Sequence, residues 1–182
     1  VPEDLTTARP TVLVLTEEAF GDVDARNLAQ LHRAEDGSDG GDGGGDAADV
    51  QHLVLVPADT HRSVLADLLD HLSLGELREA LGSVREGQPD ATAARAEAET
   101  ALAATLAALR AEGLQAEGRT TDDDPLPEVR RVLAAGGGVR ELVVVTRPHA
   151  VEDTFHRDWA SRARDEFGVP VLHLYAGTSR LG

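Results

Sequence analysis

The sequence contains no cysteine, which excludes disulfides, thiolate nucleophiles and cysteine-ligated zinc or iron–sulfur centres. It contains no lysine either, since all 17 basic residues are arginine. A lysine Schiff base, a lysine nucleophile and the phosphate-binding lysine of a P-loop are thereby ruled out. Aromatic residues make up only 3% of the chain. The core must therefore be assembled from Leu, Val and Ala, a palette suited to helices packed on a parallel sheet. No apolar run approaches the roughly 18 residues that span a bilayer. The start, Val1-Pro2-Glu3-Asp4-Leu5, has neither the cationic residues nor the apolar stretch of a signal peptide, so the cytoplasm is the expected location. Positive charge is scarce: 17 basic against 33 acidic residues leave a net charge of −16. That balance argues against binding to nucleic acid or to an anionic membrane, both of which need clustered cations.

The 182 residues fit one domain, expected over 9–178. Four runs rich in Val and Leu read as strands covered on both faces: Thr11–Thr16, His52–Pro57, Glu141–Thr146 and Val169–Tyr175. A weaker fifth, Leu114–Arg119, follows a helix that stops at Gly113. Helical spacing covers Ala93–Glu112, where Ala101, Leu102, Leu106 and Leu109 share a stripe. It recurs over Pro127–Ala135, which follows an Asp-Pro step and runs into three glycines. A further helix is predicted over Asp153–Phe167, with Phe155, Trp159, Ala163 and Phe167 at intervals of four as a core stripe. Strands alternating with helices give an α/β fold with a mostly parallel open sheet and helices on both faces. Two stretches interrupt the rhythm. Residues 35–49 are almost wholly Gly, Asp, Ala and Ser and read as a flexible acidic loop that buries too little apolar surface to order. Residues 61–88 carry leucines and valines at helical spacing where one crossover helix would suffice, and read as a helical insertion.

Several segments resemble the universal stress protein family. Ala111-Glu112-Gly113-Leu114, the short strand after it and Asp124-Pro125 resemble that family's helix end, third strand and next helix entry. Val139–Thr146 resembles its fourth strand, and Phe167-Gly168-Val169-Pro170-Val171-Leu172-His173-Leu174 its closing strand. The resemblance implies five strands in the order 3-2-1-4-5, in a Rossmann-like arrangement of the adenine nucleotide alpha hydrolase type. It also implies a homodimer joined through the last strand, at Val169, Val171, His173 and Tyr175. Nucleotide-binding members carry a glycine-rich loop, G-x2-G-x9-G-S/T, after the fourth strand, because backbone N–H groups reach phosphate only where no Cβ intervenes. Here that place reads Thr146-Arg147-Pro148-His149-Ala150-Val151-Glu152-Asp153. Proline removes a donor, and the two carboxylates repel a triphosphate. The family's aspartate after the first strand is replaced by Glu17-Glu18 after Thr16. The expectation is a stress-response or regulatory protein without catalytic activity, ATP or other cofactor.

Ligands of open parallel sheets bind outside the carboxyl ends of the strands, at the switch point in strand order. Candidate ligand-binding residues there are Thr16, Glu17, Asp59, Arg147 and His149. A metal would draw on His149, Asp153 and His156, where imidazole and carboxylate occur together. The alternative function is accordingly a small-ligand protein with a divergent nucleotide site, or a metal-assisted enzyme, at the ends of strands one and four. Acidic residues at helix starts also serve the helix dipole, which accounts for Glu17, Glu18, Glu152 and Asp153 without chemistry. Asp122-Asp123-Asp124 reads as a helix cap. His173 lies inside a strand and reads as a hydrogen-bonded core or interface histidine, whereas His52 and His71 have no evident partner.

Overall fold

A computed structural model describes residues 9–38, 50–58, 91–122, 124–135, 138–146 and 164–177. In chain order the elements are β1 (Thr11–Thr16), α1 (Asp22–Ser38), β2 (Gln51–Pro57), α2 (Ala91–Ala111), β3 (Gln115–Thr121), α3 (Leu126–Ala134), β4 (Val139–Thr146) and β5 (Val171–Tyr175). A last helical turn occupies Arg164–Phe167. The five strands form one sheet in the order β3-β2-β1-β4-β5, and every pairing is parallel.

Successive residues of a strand point to opposite faces, and the core divides accordingly. Val12 and Val14 of β1, Val54 and Val56 of β2 and Val143 and Val145 of β4 pack beneath Ala25, Leu28 and Ala29 of α1 and Ala98 and Leu109 of α2. Leu13, Leu15, Leu55, Leu142 and Val144 face the other way, toward Val129 of α3 and Phe167. The first two crossovers thus cover one face and the later ones the other, which places the reversal of strand order between β1 and β4.

Element boundaries shift where backbone hydrogen bonding decides them. Gly113, at φ +83°, ends α2; the Leu114 N–H turns back to the Leu109 carbonyl at 3.1 Å, so β3 starts one residue later than the hydrophobic pattern suggests. At the other edge, β5 begins at Val171 rather than Val169. Pro170 has no N–H to give and enters the ladder only as an acceptor, through the Leu142 N–H at 2.9 Å. Residues 35–38, expected to belong to the acidic loop, are helical, because α1 continues to Ser38. Extending an existing helix orders one residue per hydrogen bond gained, and the anchored turns before residue 35 supply the nucleus. Residues 39–49 of that loop, and the insertion expected over 61–88, lie outside the described residues.

Candidate functional site

The carboxyl ends of β1, β4 and β5 meet at the switch point. Thr16 is completely buried there; its hydroxyl donates to the Glu18 carbonyl at 2.8 Å and accepts from the Glu18 N–H at 3.3 Å. Glu17 is half-buried. The chain then turns inward, and Phe20 enters the core beneath α1 and α2. The Phe20 N–H donates to Thr105 Oγ1 of α2 at 3.1 Å, and Thr105 is itself fully buried. One turn into α1, the largely buried Asp24 accepts from the Gly21 N–H at 2.9 Å and from the Gly177 N–H at 2.6 Å. A single carboxylate thus ties the loop after β1 to the turn after β5. On the opposite face of the sheet, Thr146 Oγ1 and His173 Nε2 lie 2.7 Å apart, and the His173 ring meets Tyr175 edge-on at 4.6 Å.

Of the residues singled out from the sequence, Thr16 and Glu17 stand at this end. Val169, Val171, His173 and Tyr175 lie on or just before the edge strand β5. Asp59, Arg147, His149, Asp153 and His156 lie outside the described residues. Asp124 Oδ1 accepts the Leu126 N–H at 2.9 Å, at the entry to α3. Near it, a cleft of about 750 Å3 is lined by Arg119, Thr120, Asp122, Asp124, Glu128 and Arg131. Glu128 receives Arg119 from β3 at 2.6 Å and Arg131 through two bonds at 2.6 and 2.8 Å. The Arg131 hydrogen bond, assisted by Arg119, holds the Glu128 carboxyl below its usual range despite some loss of solvent. With Asp122 and Asp124 beside them, these guanidiniums are matched by carboxylates, so the cleft is a charge-paired tie between β3 and α3.

Among the described residues, a buried titratable cluster lies elsewhere, at the amino ends of the strands. His52 is fully buried, and His32 and Glu141 nearly so. His52 of β2 and Glu141 of β4 both stand in register with Val12 of β1, and His32 reaches down from α1 between them. His32 Nε2 is 2.7 Å from Glu141 Oε1, an ion-pair approach rather than an aligned hydrogen bond. His32 Nδ1 and His52 Nε2 are 3.2 Å apart, and His52 Nδ1 is 3.2 Å from the Gln115 carbonyl of β3. Burial, followed by the charge of His32, lowers the His52 pKa to about 4. Burial pushes the Glu141 carboxyl upward, but contact with His32 and the charges of His32, Arg140 and His52 together hold it below its usual value. The groups form a line rather than converge, and among the described residues no three such side chains are placed to hold a metal ion.

This cluster corrects the reading that His52 lacks a partner, and it contains a residue the sequence analysis passed over. His32 continues the inward stripe of Ala25, Leu28 and Ala29 at helical spacing, and a polar residue on that stripe signals a buried counterpart. Alternation along β2 and β4 likewise places His52 and Glu141 on the same face as Val54 and Val143.

No family model and no curated protein matches the chain. Among solved structures, it is similar to a universal stress protein from Archaeoglobus fulgidus, at 15% identity and a TM-score of 0.45, over 90% of this chain and 92% of that one. It is also similar to universal stress protein UspA from Lactobacillus plantarum, at 13% identity and a TM-score of 0.44, over 93% and 99% of the two chains. At these values the likeness concerns chain path alone, and the α/β fold itself rests on the all-parallel order β3-β2-β1-β4-β5.

Proposed function

We propose that this chain acts as a universal stress protein-like regulatory or protective protein, not as an enzyme, and that it does not hold ATP. The observation that carries this reading is the internal use of polar groups after β1. The Thr16 hydroxyl is committed to Glu18, the Phe20 N–H to Thr105 and the Gly21 N–H to Asp24. A phosphate at this end would need donors aimed outward, together with glycines that let it approach. The sequence after β4, with Pro148, Glu152 and Asp153 and no glycine, supports the same reading. The edge position and apolar character of β5 favour a homodimer formed across it, since an unpaired apolar edge invites strand pairing with a second copy.

Isothermal titration with Mg-ATP, with AMP as the control nucleotide and two temperatures to exclude a vanishing enthalpy, tests the first part. No heat of binding is expected at micromolar to millimolar nucleotide, and micromolar affinity would overturn the reading. Sedimentation equilibrium tests the second part: the mass of two chains is expected, and a monomer across the accessible concentration range would remove the dimer.

A further inference from the structure

We infer that Glu141, His32 and His52 form an acid-released latch that holds α1 on the sheet at His32. The inference is independent of the proposed function and concerns the opposite end of the strands. It rests on the count of protons that the geometry allows. The Gln115 carbonyl can only accept, so His52 Nδ1 at 3.2 Å must carry the hydrogen. His52 Nε2 then presents a lone pair, and His32 Nδ1, 3.2 Å away, must donate to it. On the other side of the His32 ring, Nε2 and the Glu141 carboxyl lie 2.7 Å apart, too close for two facing lone pairs and so an ion-pair contact. In this arrangement His52 is neutral, and His32 meets Glu141 as an ion pair.

One basic place for a further proton is His52 Nε2. Occupying it sets two N–H groups against each other at 3.2 Å and puts two cations in the same buried space. Among the described residues, the groups facing the line are apolar, cationic or paired. Val12 of β1 and Ala116 of β3 are apolar neighbours. Arg140 of β4 approaches Glu141 Oε1 at 3.7 Å and adds positive charge. From α2, Arg110 is turned to the Ala116 carbonyl at 2.7 Å, and in the turn after it Glu112 pairs with Arg26 of α1 at 3.6 Å. The line therefore breaks when His52 is protonated.

What comes loose follows from how α1 is anchored. Its first turns are held by Ala25, Leu28 and Ala29 in the core and by the two hydrogen bonds to Asp24. Among the α1 residues whose side chains are described, the buried His32 is the last on the inward stripe. Breaking its contacts loosens the helix at this turn while leaving its start seated.

Hydrogen exchange of the intact protein at pH 7 and pH 5, corrected for intrinsic exchange, tests the latch. The amides of Leu31–Ala34 should lose protection roughly twentyfold relative to those of Ala98–Leu109 in α2, the ratio set by a group bound near pH 4 when closed and near 6.5 when open. His52→Leu should abolish this differential step. Nitrogen-15 NMR of the wild-type imidazoles provides the reading should that variant fail to fold: His52 should carry its hydrogen on Nδ1 at neutral pH and gain one on Nε2 over the range in which exchange rises. An unchanged ratio between the two helices, a step that survives His52→Leu, or a His52 tautomer protonated on Nε2 at neutral pH would each overturn the proposal.

Discussion

Thr105 shows how one polar atom can position a loop. Its hydroxyl lies on the inward face of α2, fully buried, and receives the Phe20 N–H from the segment after β1. A buried N–H deprived of its acceptor costs on the order of 1–3 kcal/mol. Thr105→Val, which keeps the shape and removes the oxygen, should therefore destabilise the protein by about 2 kcal/mol in urea unfolding. Thr105→Ser should recover most of that loss. A Thr105→Val variant as stable as the wild type, with Thr105→Ser the weaker of the two, would show that the methyl group, not the hydroxyl, matters here. Asp24 plays the same part with a charge, joining Gly21 and Gly177 across the fold.

Among the elements, the seat of α2 on β2 and β3 is set by Gly118. A Cβ at this position would stand 2.5 Å from the Val54 carbonyl oxygen and 2.7 Å from Leu102 Cδ1. The leucine end can swing aside, but the β2 backbone cannot move without disturbing the ladder. Gly118→Ala should cost about 1–3 kcal/mol, as overpacking of a close-packed interior does. Thermal unfolding checks this, and a wild-type melting temperature would mean that the two layers yield more easily than their spacing indicates. The outer edges differ in kind. Glu117 and Arg119 give β3 a charged edge, whereas β5 reads Val-Leu-His-Leu-Tyr, so of the two edge strands only β3 carries charges that guard against pairing.

For the whole molecule, the buried histidine predicts the pH dependence of stability. His52 has a pKa near 4 in the folded protein against 6.5 for a solvated imidazole. Between those values the unfolded chain binds the extra proton, so stability is full above pH 6.5 and declines as the pH falls toward 4. The shift corresponds to about 3 kcal/mol over that window. Glu141, with its pKa lowered, acts in the same direction. Its contribution is present above the usual carboxylate value and is lost as the pH falls through the lowered one. Urea titrations from pH 7.5 to 4.5 should thus show a steady fall for the wild type and a flatter profile for His52→Leu. Relief of repulsion as the net charge of −16 is titrated affects both proteins alike, so their difference isolates the buried group.

Composition and periodicity alone determined the α/β class, the five strands and much of α2 and α3. Alternation within a strand and 3.6-residue spacing within a helix are local properties of the chain. They also made His173 legible as a buried hydrogen-bonded residue, since it interrupts an apolar strand. Strand limits shifted where a backbone bond intervened, as at Pro170 and Gly113. Only the tertiary structure joined His32, His52 and Glu141, and only it turned Thr105 and Asp24 toward partners 85 and 153 residues away in the chain. Those meetings depend on which strands become neighbours and in what register, which no local spacing specifies. Burying them then altered their chemistry: outside water, proton affinities follow the neighbouring groups that the fold supplies.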